Sequence, residues 1–477
     1  MQTRITILGA GPGGYVAGVR AAQLGAAVTV VEKEQVGGTC LNWGCIPSKV
    51  MKTTADLLEK IRRADSFGIR IEGGAEPDMA KLMARKQKVV AAQIKGIEGL
   101  LARHGVSLIR GNARVDGPGK ISVTDEGSRE HSWSWERLII ATGSRPFSVP
   151  AFPFDGQRIL SSNHILESET VPDSIVIVGG GVIGCEFACI LSALGARVII
   201  VEALDRLLPL PSVDAGCSKV LEREMKKRRI KFYVNRVVES IAQTGDGLTV
   251  SIGPSPFASH LKDRDRVPVT ETVTQALVCI GRSPNTTDIG LDTIGLETDP
   301  RGWIPVNDRM QTGISGVYAI GDVLGPEKVM LAHAASAEAM VAAENAMGAD
   351  RAMDYSAVPG AIFTMPEVAC VGLTEDRAKE QGIDARTDTV LFRTIGKAQV
   401  TGDLAGQAAI VSDAGSGRVL GVHIIGPHAT DLLGEGALAV TAGLGVEDIA
   451  NTIHAHPTLT EIMLEAALKA TGRALHG

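Results

Sequence analysis

The stretch Ile5-Thr6-Ile7-Leu8-Gly9-Ala10-Gly11-Pro12-Gly13-Gly14 decides the fold. Residues 5–8 read as a short strand, and Gly9, Gly11 and Gly14 follow in GxGxxG spacing. An Ala-rich helix comes next, then a second strand over residues 28–31 that ends at Glu32. The same succession recurs with a strand at 175–178, Gly179, Gly181 and Gly184, a helix, a strand at 198–201, and Glu202. Gly9 to Gly179, Gly14 to Gly184 and Glu32 to Glu202 are all displaced by 170 residues. One GxGxxG carries little weight; two complete strand–glycine–helix–strand–acid units at a fixed offset predict two dinucleotide sites. In each, the first glycine permits a tight turn, the second lets backbone approach a pyrophosphate, and the third lets helix and strand pack closely. The helix N-terminus faces the phosphate charge, and the acid accepts hydrogen bonds from a ribose 2′-hydroxyl. Glycines serving packing alone is the plainer reading, and the weaker one for a pair of units.

Just past the first unit runs Gly37-Gly38-Thr39-Cys40-Leu41-Asn42-Trp43-Gly44-Cys45-Ile46-Pro47-Ser48-Lys49. It sets two cysteines five residues apart, where they can carry electrons as a disulfide/dithiol pair. The chain holds seven cysteines, an odd number that fits a reducing compartment with one reactive pair rather than a secreted disulfide framework. Half of a zinc site is another reading of Cys40 and Cys45, but no second Cys/His pair with ligand spacing lies nearby. Gly37, Gly38, Pro47, Ser48 and Lys49 complete a pattern position for position. The run resembles the redox-active disulfide of the flavin disulfide reductases (the class I pyridine nucleotide-disulfide oxidoreductases), and within them that of the dihydrolipoyl dehydrogenases.

Bulk properties agree. A length of 477 residues suggests about three or four domains. The 55 glycines suit an α/β protein with many tight turns. A net charge of -6 and 4% aromatics offer neither a basic patch nor a stacking platform, so no nucleic-acid partner is expected. The most apolar segment, residues 175–201, holds Glu186, Arg197 and five glycines and reads as strand, turn and helix rather than a membrane span. The first strand begins almost at Met1, which leaves no room for a targeting peptide and leads to the expectation of a cytoplasmic protein.

The resemblance implies a specific assignment of sites. FAD goes to the first unit, because the cysteine pair follows it directly. Residues 138–146 (LIIATGSRP) and 317–322 (VYAIGD) match FAD-domain motifs. Gly9, Gly11, Gly14, Glu32, Lys49, Thr142, Gly143, Asp322, Ala332 and His333 are then the FAD residues, with Glu32 on the adenosine ribose and Asp322 on the ribityl chain. No chemistry is assigned to His333 itself. Gly179, Gly181, Gly184, Glu202 and Gly281 are the NAD residues. A carboxylate at Glu202 suits a free 2′-hydroxyl and repels a 2′-phosphate, so NAD is favoured although Arg206 lies four residues on. Cys40 is the interchange thiol and Cys45 the thiol facing the flavin. Lys49, one helical turn after Cys45, contacts the flavin and pairs with Glu186.

The C-terminal run His454-Ala455-His456-Pro457-Thr458-Leu459-Thr460-Glu461 matches the family's His-x-His-Pro-Thr signature. It implies His456 as acid/base, Glu461 as its orienting partner and His454 as a support. In this family the histidine serves the cysteine pair of the other subunit, which implies an obligate homodimer. The expected architecture is two Rossmann-like domains plus a C-terminal α+β dimerisation domain. Its parts are an FAD domain at 1–148, an NAD domain at 149–272, a central domain at 273–350 and an interface domain at 351–477. The implied reaction oxidises dihydrolipoamide on a lipoyl-carrier protein and reduces NAD, in a 2-oxo-acid dehydrogenase or glycine cleavage complex. Another NAD(P)H-dependent disulfide reductase is the alternative. A mercuric reductase would carry a cysteine pair in the tail, where residues 473–477 have none; glutathione and trypanothione reductases prefer NADP and usually place an aromatic at the position of Val182. Cys185 and Cys189 read as small buried side chains, and segment 392–402 departs from the family without an assigned role.

Overall fold

The computed structural model describes residues 2–125, 127–258, 261 and 263–476. The chain falls into two compact units, each assembled from three stretches of sequence. The first comprises Met1–Met51, Asp78–Phe147 and Gly281–Tyr355. The second comprises Lys52–Pro77, Ser148–Ile280 and Ser356–Gly477.

A five-stranded parallel sheet forms the frame of the first unit, in the order Val317–Ala319, Arg137–Ile140, Arg4–Leu8, Ala27–Glu32, Ser107–Arg110. Residues Ile5 to Leu8 are all buried, as a central strand covered on both faces requires, which is why they read as a continuous run and not an alternation. Each fully buried aliphatic such as Ile7 or Val30 contributes about 1.5–3 kcal/mol by leaving water. Helix Pro12–Gln23 packs against helix Ala332–Ala346, whose alanines allow close approach. A three-stranded antiparallel meander, Asn112–Gly117, Lys120–Thr124 and Glu130–Ser134, is inserted before the fourth strand. Strand order reverses at Arg4–Leu8, so the crevice for a ligand opens beyond its carboxyl end, where Gly9 begins.

In the second unit a parallel sheet repeats this plan, in the order Lys231–Tyr233, Arg197–Val201, Ser174–Val178, Gln275–Val278, Ile159–Leu160. Register is kept as well as order. Ile5 pairs with Val28 and Arg137, and Ile175 pairs with Val198 and Gln275. A meander of Arg236–Thr244, Gly247–Pro254 and Val269–Val273 is inserted at the same place. The repeat is therefore longer than its constant offset reveals. That offset is lost after the acids because the first repeat inserts helices Gly38–Trp43 and Cys45–Arg62 before its 25-residue helix Met79–Arg103, whereas the second runs almost directly into the 13-residue helix Ala215–Lys227. Segment 175–201 forms strand, helix Val182–Leu194 and strand, as its glycines and charges predict.

Also in the second unit is an antiparallel sheet ordered Gly360–Ile362, Glu367–Gly372, Val419–Gly426, Gln407–Asp413, Ala385–Leu391. Helices Ala429–Ala442 and Glu461–Ala470 bury one face through Leu433, Ile462, Met463 and Ala466. Among the described residues, no helix is long and apolar enough to cross a membrane.

Candidate functional site

Both glycine turns are built alike atom for atom. Gly9 and Gly179 adopt φ of +99° and +107°, the left-handed region open to glycine. Their N–H groups donate to the carbonyls of Val31 at 2.7 Å and Val201 at 2.8 Å. A Cβ on Gly14 would lie 1.8 Å from Gly9 O, and one on Gly184 would lie 1.9 Å from Gly179 O, so the third glycine is required by the chain itself. The second glycine is different. A Cβ on Gly11 would meet only Gly38 Cα at 3.8 Å, and one on Gly181 would meet nothing within 4 Å. The protein leaves room there that a pyrophosphate fits.

The two acids repeat the equivalence. Glu32 Oε2 accepts from Ala10 N–H at 2.7 Å and Oε1 from Glu34 N–H at 2.8 Å. Glu202 Oε2 accepts from Gly180 N–H at 2.6 Å and Oε1 from Leu204 N–H at 2.8 Å. Each carboxylate oxygen keeps a lone pair for a ribose hydroxyl. Burial pushes the Glu32 carboxyl up against the lowering effect of its two N–H donors.

Cys40 sits in the short helix Gly38–Trp43 and Cys45 opens helix Cys45–Arg62. Their side chains lie within hydrogen-bonding reach of each other, close enough to act as a disulfide/dithiol couple. That hydrogen bond, then burial, holds the Cys40 thiol well above its ordinary range, while the Lys49 charge lowers it. Cys45 at a helix start has the setting that favours a thiolate.

Around the LIIATGSRP and VYAIGD motifs the first unit gathers, beside the expected Thr142, Gly143 and Asp322, polar groups that sequence reading missed: Ser144, Arg282 and Glu338. Ser144 Oγ donates to Asp322 Oδ2 at 2.6 Å and accepts from Arg282 Nε at 2.6 Å. Arg282 Nη2 donates to Ser144 O at 2.8 Å, and its Nε lies 3.5 Å from Asp322. Burial lowers the Arg282 pKa, opposed by Asp322 and by Cys45, within whose electrostatic reach the guanidinium lies. Buried Glu338 accepts from Gly321 N–H at 2.6 Å and from Tyr355 O–H at 2.7 Å, which fixes the Gly-Asp turn. Its signal was a fully buried acid within an Ala-rich helix, where Glu344 further along is engaged by arginines. Thr142 Oγ1 is buried with no hydrogen-bond partner, and Gly143 has φ of +68° with open space above it. An orphaned hydroxyl beside open backbone fits FAD at this turn. Ala332 and His333 open helix Ala332–Ala346, at the position expected for N–H groups aimed at a flavin.

In the second unit His456 Nδ1 is 2.8 Å from Glu461 Oε1, and Thr458 N–H donates to Glu461 Oε2 at 2.9 Å. Burial raises the Glu461 carboxyl, but the bonds from His456 and Thr458 outweigh it and hold it below the usual range. The His456 side chain is 75% exposed and that of His454 only 5%. His454 is braced by Thr452 O at 2.9 Å and Glu435 at 3.1 Å, which fits support and not chemistry. The unassigned segment 392–402 has a place after all. Buried Phe392 anchors it, and Gly396 opens a short helix facing His456, where a Cβ would lie 3.9 Å from Cε1. Buried Glu186 accepts from Phe363 N–H at 2.9 Å. Cys185 Sγ donates to Gly180 O at 3.1 Å, and Cys189 Sγ, pushed by burial up to about 11, accepts from Met365 N–H at 3.4 Å. Of the expected NAD residues, Gly179, Gly181, Gly184 and Glu202 share the second unit, while Gly281, with φ of +140°, belongs to the first. Among the described residues, no cluster of three His, Cys, Asp or Glu is placed to hold a metal.

Known proteins match this arrangement over nearly the whole chain. The haloarchaeal dihydrolipoyl dehydrogenase 2 of Haloarcula marismortui is 40% identical over 476 residues, covering 99% of this chain and 98% of the relative. The dihydrolipoyl dehydrogenase of Bacillus subtilis is 40% identical over 483 residues, with 99% and 98% covered. The crystal structure of LpdA from Mycobacterium tuberculosis superposes with a TM-score of 0.88 at 29% identity, covering 98% of this chain and 99% of that one. Residues 3–339 match the family model for pyridine nucleotide-disulphide oxidoreductases, and residues 358–467 match the model for their dimerisation domain. Twin nucleotide turns, a thiol pair beside the first and a dimerisation sheet thus converge, and the chain belongs to the pyridine nucleotide-disulphide oxidoreductase family.

Proposed function

We propose that the protein oxidises dihydrolipoamide carried on a lipoyl protein and reduces NAD, as a homodimer. The observation that carries this reading is the hydrogen-bonded Cys40/Cys45 pair, set directly after the adenosine acid of a nucleotide unit. His456 Nε2 takes a proton from one substrate thiol, and Glu461 holds Nδ1–H so that the free nitrogen faces outward. The substrate thiolate attacks Cys40 Sγ of the oxidised pair, the Cys40–Cys45 bond breaks, and Cys45 leaves as a thiolate. The second substrate thiolate then displaces Cys40, forming the lipoyl disulfide and leaving the pair reduced. Bound FAD supplies the two-electron link between this dithiol and the nicotinamide of NAD. Lys49 and Arg282 set positive charge near the thiols, which favours the Cys45 thiolate. The histidine that serves each pair comes from the second copy of the chain. Glu202 favours NAD over NADP by its charge. The host is a 2-oxo-acid dehydrogenase or glycine cleavage system of the cytoplasm.

The test is steady-state reduction of NAD and of NADP by the purified yellow protein with dihydrolipoamide. Strong reduction of NAD alone is expected. A flavin-loaded protein with a reducible Cys40/Cys45 pair that reduces neither nucleotide would end the lipoamide assignment.

A further inference from the structure

Arg206 is the cation of the second nucleotide turn, and its guanidinium is engaged by its own loop. Nη1 donates to Ser218 Oγ at 2.5 Å; Nη2 donates to the carbonyls of Leu210 at 3.1 Å and Val213 at 3.0 Å. Ser218 is buried on helix Ala215–Lys227, so the clamp is anchored on a fixed element. The clamped loop, residues 204–213, touches the nucleotide turn twice. Leu204 N–H donates to Glu202 Oε1 at 2.8 Å, and Leu208 N–H donates to Gly180 O at 2.8 Å. Leu208 makes its contact with φ of +50°, a backbone region that a leucine occupies at a cost. In the first repeat the same return is made by Gly37, whose N–H donates to Ala10 O at 2.8 Å with φ of +93°. Glycine adopts that conformation freely; leucine has to be held in it.

We propose that Arg206 is a positioning residue of the nucleotide site, a clamp that fixes loop 204–213 so that Leu204 orients Glu202 and Leu208 braces Gly180. It is spent on two backbone carbonyls and the Ser218 hydroxyl, and is not a ligand for a 2′-phosphate. The proposal rests on the second repeat being the nicotinamide nucleotide site. A planar guanidinium can serve three divergent acceptors at once, whereas a lysine ammonium cannot hold the same fork.

The test titrates NADH and NADPH into the oxidised, FAD-loaded protein and its Arg206→Ala, Arg206→Lys and Ser218→Ala variants. Arg206→Ala raises the NADH Kd about tenfold, Arg206→Lys recovers little of it, and Ser218→Ala costs less. FAD content and the rate of flavin reduction by dihydrolipoamide stay at wild-type values. KM for NAD rises much more than kcat falls, and the ratio of NADPH to NADH affinity is unchanged. An unaltered NADH Kd in both Arg206 variants overturns the proposal. Selective loss of NADPH binding makes Arg206 a phosphate ligand and overturns it too. Equal loss of FAD and NADH would mark a general folding role, with the same consequence; Ser218→Ala keeps the test open should Arg206→Ala fold poorly. NADH binding is read without any lipoyl substrate, so failure of the lipoamide assignment leaves this measurement intact.

Discussion

In the first repeat the chain leaves Glu32, turns back on Ala10 through Gly37 and runs at once into the helix that carries Cys40. In the second it leaves Glu202, turns back on Gly180 through Leu208 and closes around Arg206 before the next helix starts at Ala215. Strand register, glycine turn and carboxylate geometry are shared between them. What the two copies do is set by the segment after the acid. In the proposed reading, one copy uses it to present thiols to its nucleotide, and the other to stiffen a surface that a nucleotide must enter and leave.

Breaking one copy should spare the other. Cys45→Ser is expected to lower dihydrolipoamide oxidation by about a thousandfold or more, since the exchange has no leaving thiolate, while the NADH Kd stays unchanged. Loss of NADH binding in the same variant would mean the two repeats are not separable. His456→Gln is expected to cost roughly a hundred- to ten-thousandfold in flavin reduction by dihydrolipoamide, with flavin reduction by NADH largely kept. Comparison of the two half-reactions by stopped flow decides it.

The acids offer a matched pair. Glu32→Gln should reduce retained FAD and Glu202→Gln should raise KM for NAD, each by about tenfold and neither affecting the other ligand. Absorbance per protein and NAD saturation curves read the two effects. The glycines sharpen the comparison within a repeat. Gly14→Ala and Gly184→Ala force contacts of 1.8 and 1.9 Å and should lower the thermal midpoint of the cofactor-free protein. Gly11→Ala and Gly181→Ala meet no such clash, and should leave that midpoint near wild type while weakening FAD and NAD binding respectively.

The smallest effect expected is a pH dependence at Glu461. Its folded pKa lies below the ordinary value of 4.5, so the stability it adds is present above that value and is lost as pH falls through the folded pKa. Urea unfolding should show Glu461→Gln less stable than wild type at neutral pH, the gap closing below the carboxylate range. A gap that stays constant down to acid would show that the His456–Glu461 contact adds nothing through charge. Coupling between Lys49 and Glu186 is open to a double-mutant cycle on NADH-dependent flavin reduction; additive losses would remove their proposed pairing.

Much of this was legible because it is local. A strand, a glycine turn and an acid within about thirty residues are fixed by chain geometry and backbone hydrogen bonding, so their spacing survives in the sequence. The thiol pair and the His456–Glu461 dyad are equally short-range. Arg282, Ser144 and Asp322 were not recognised as one group because they are brought together from the ends of separate strands, Ser144 being 178 positions from Asp322. Glu338 hid in a helix whose alanines suggested nothing but packing. The third and fourth strands of the repeat escaped because the thiol-bearing helices inserted after Glu32, and a longer helix behind them, break the offset. Segment 392–402 carried no motif, and only its closeness to His456 gives it a place.

The open space at Gly11 and Gly181 reaches beyond binding. Folding does not demand a glycine at either position, so in a lineage that ceased to use one of the nucleotides, random substitution would fill that position early and at little harm. Gly14 and Gly184 would persist regardless. A descendant with a side chain at residue 181 and glycine still at 184 would be a fossil of the second site, folded and heritable but retired; this chain carries glycine at both spacious positions.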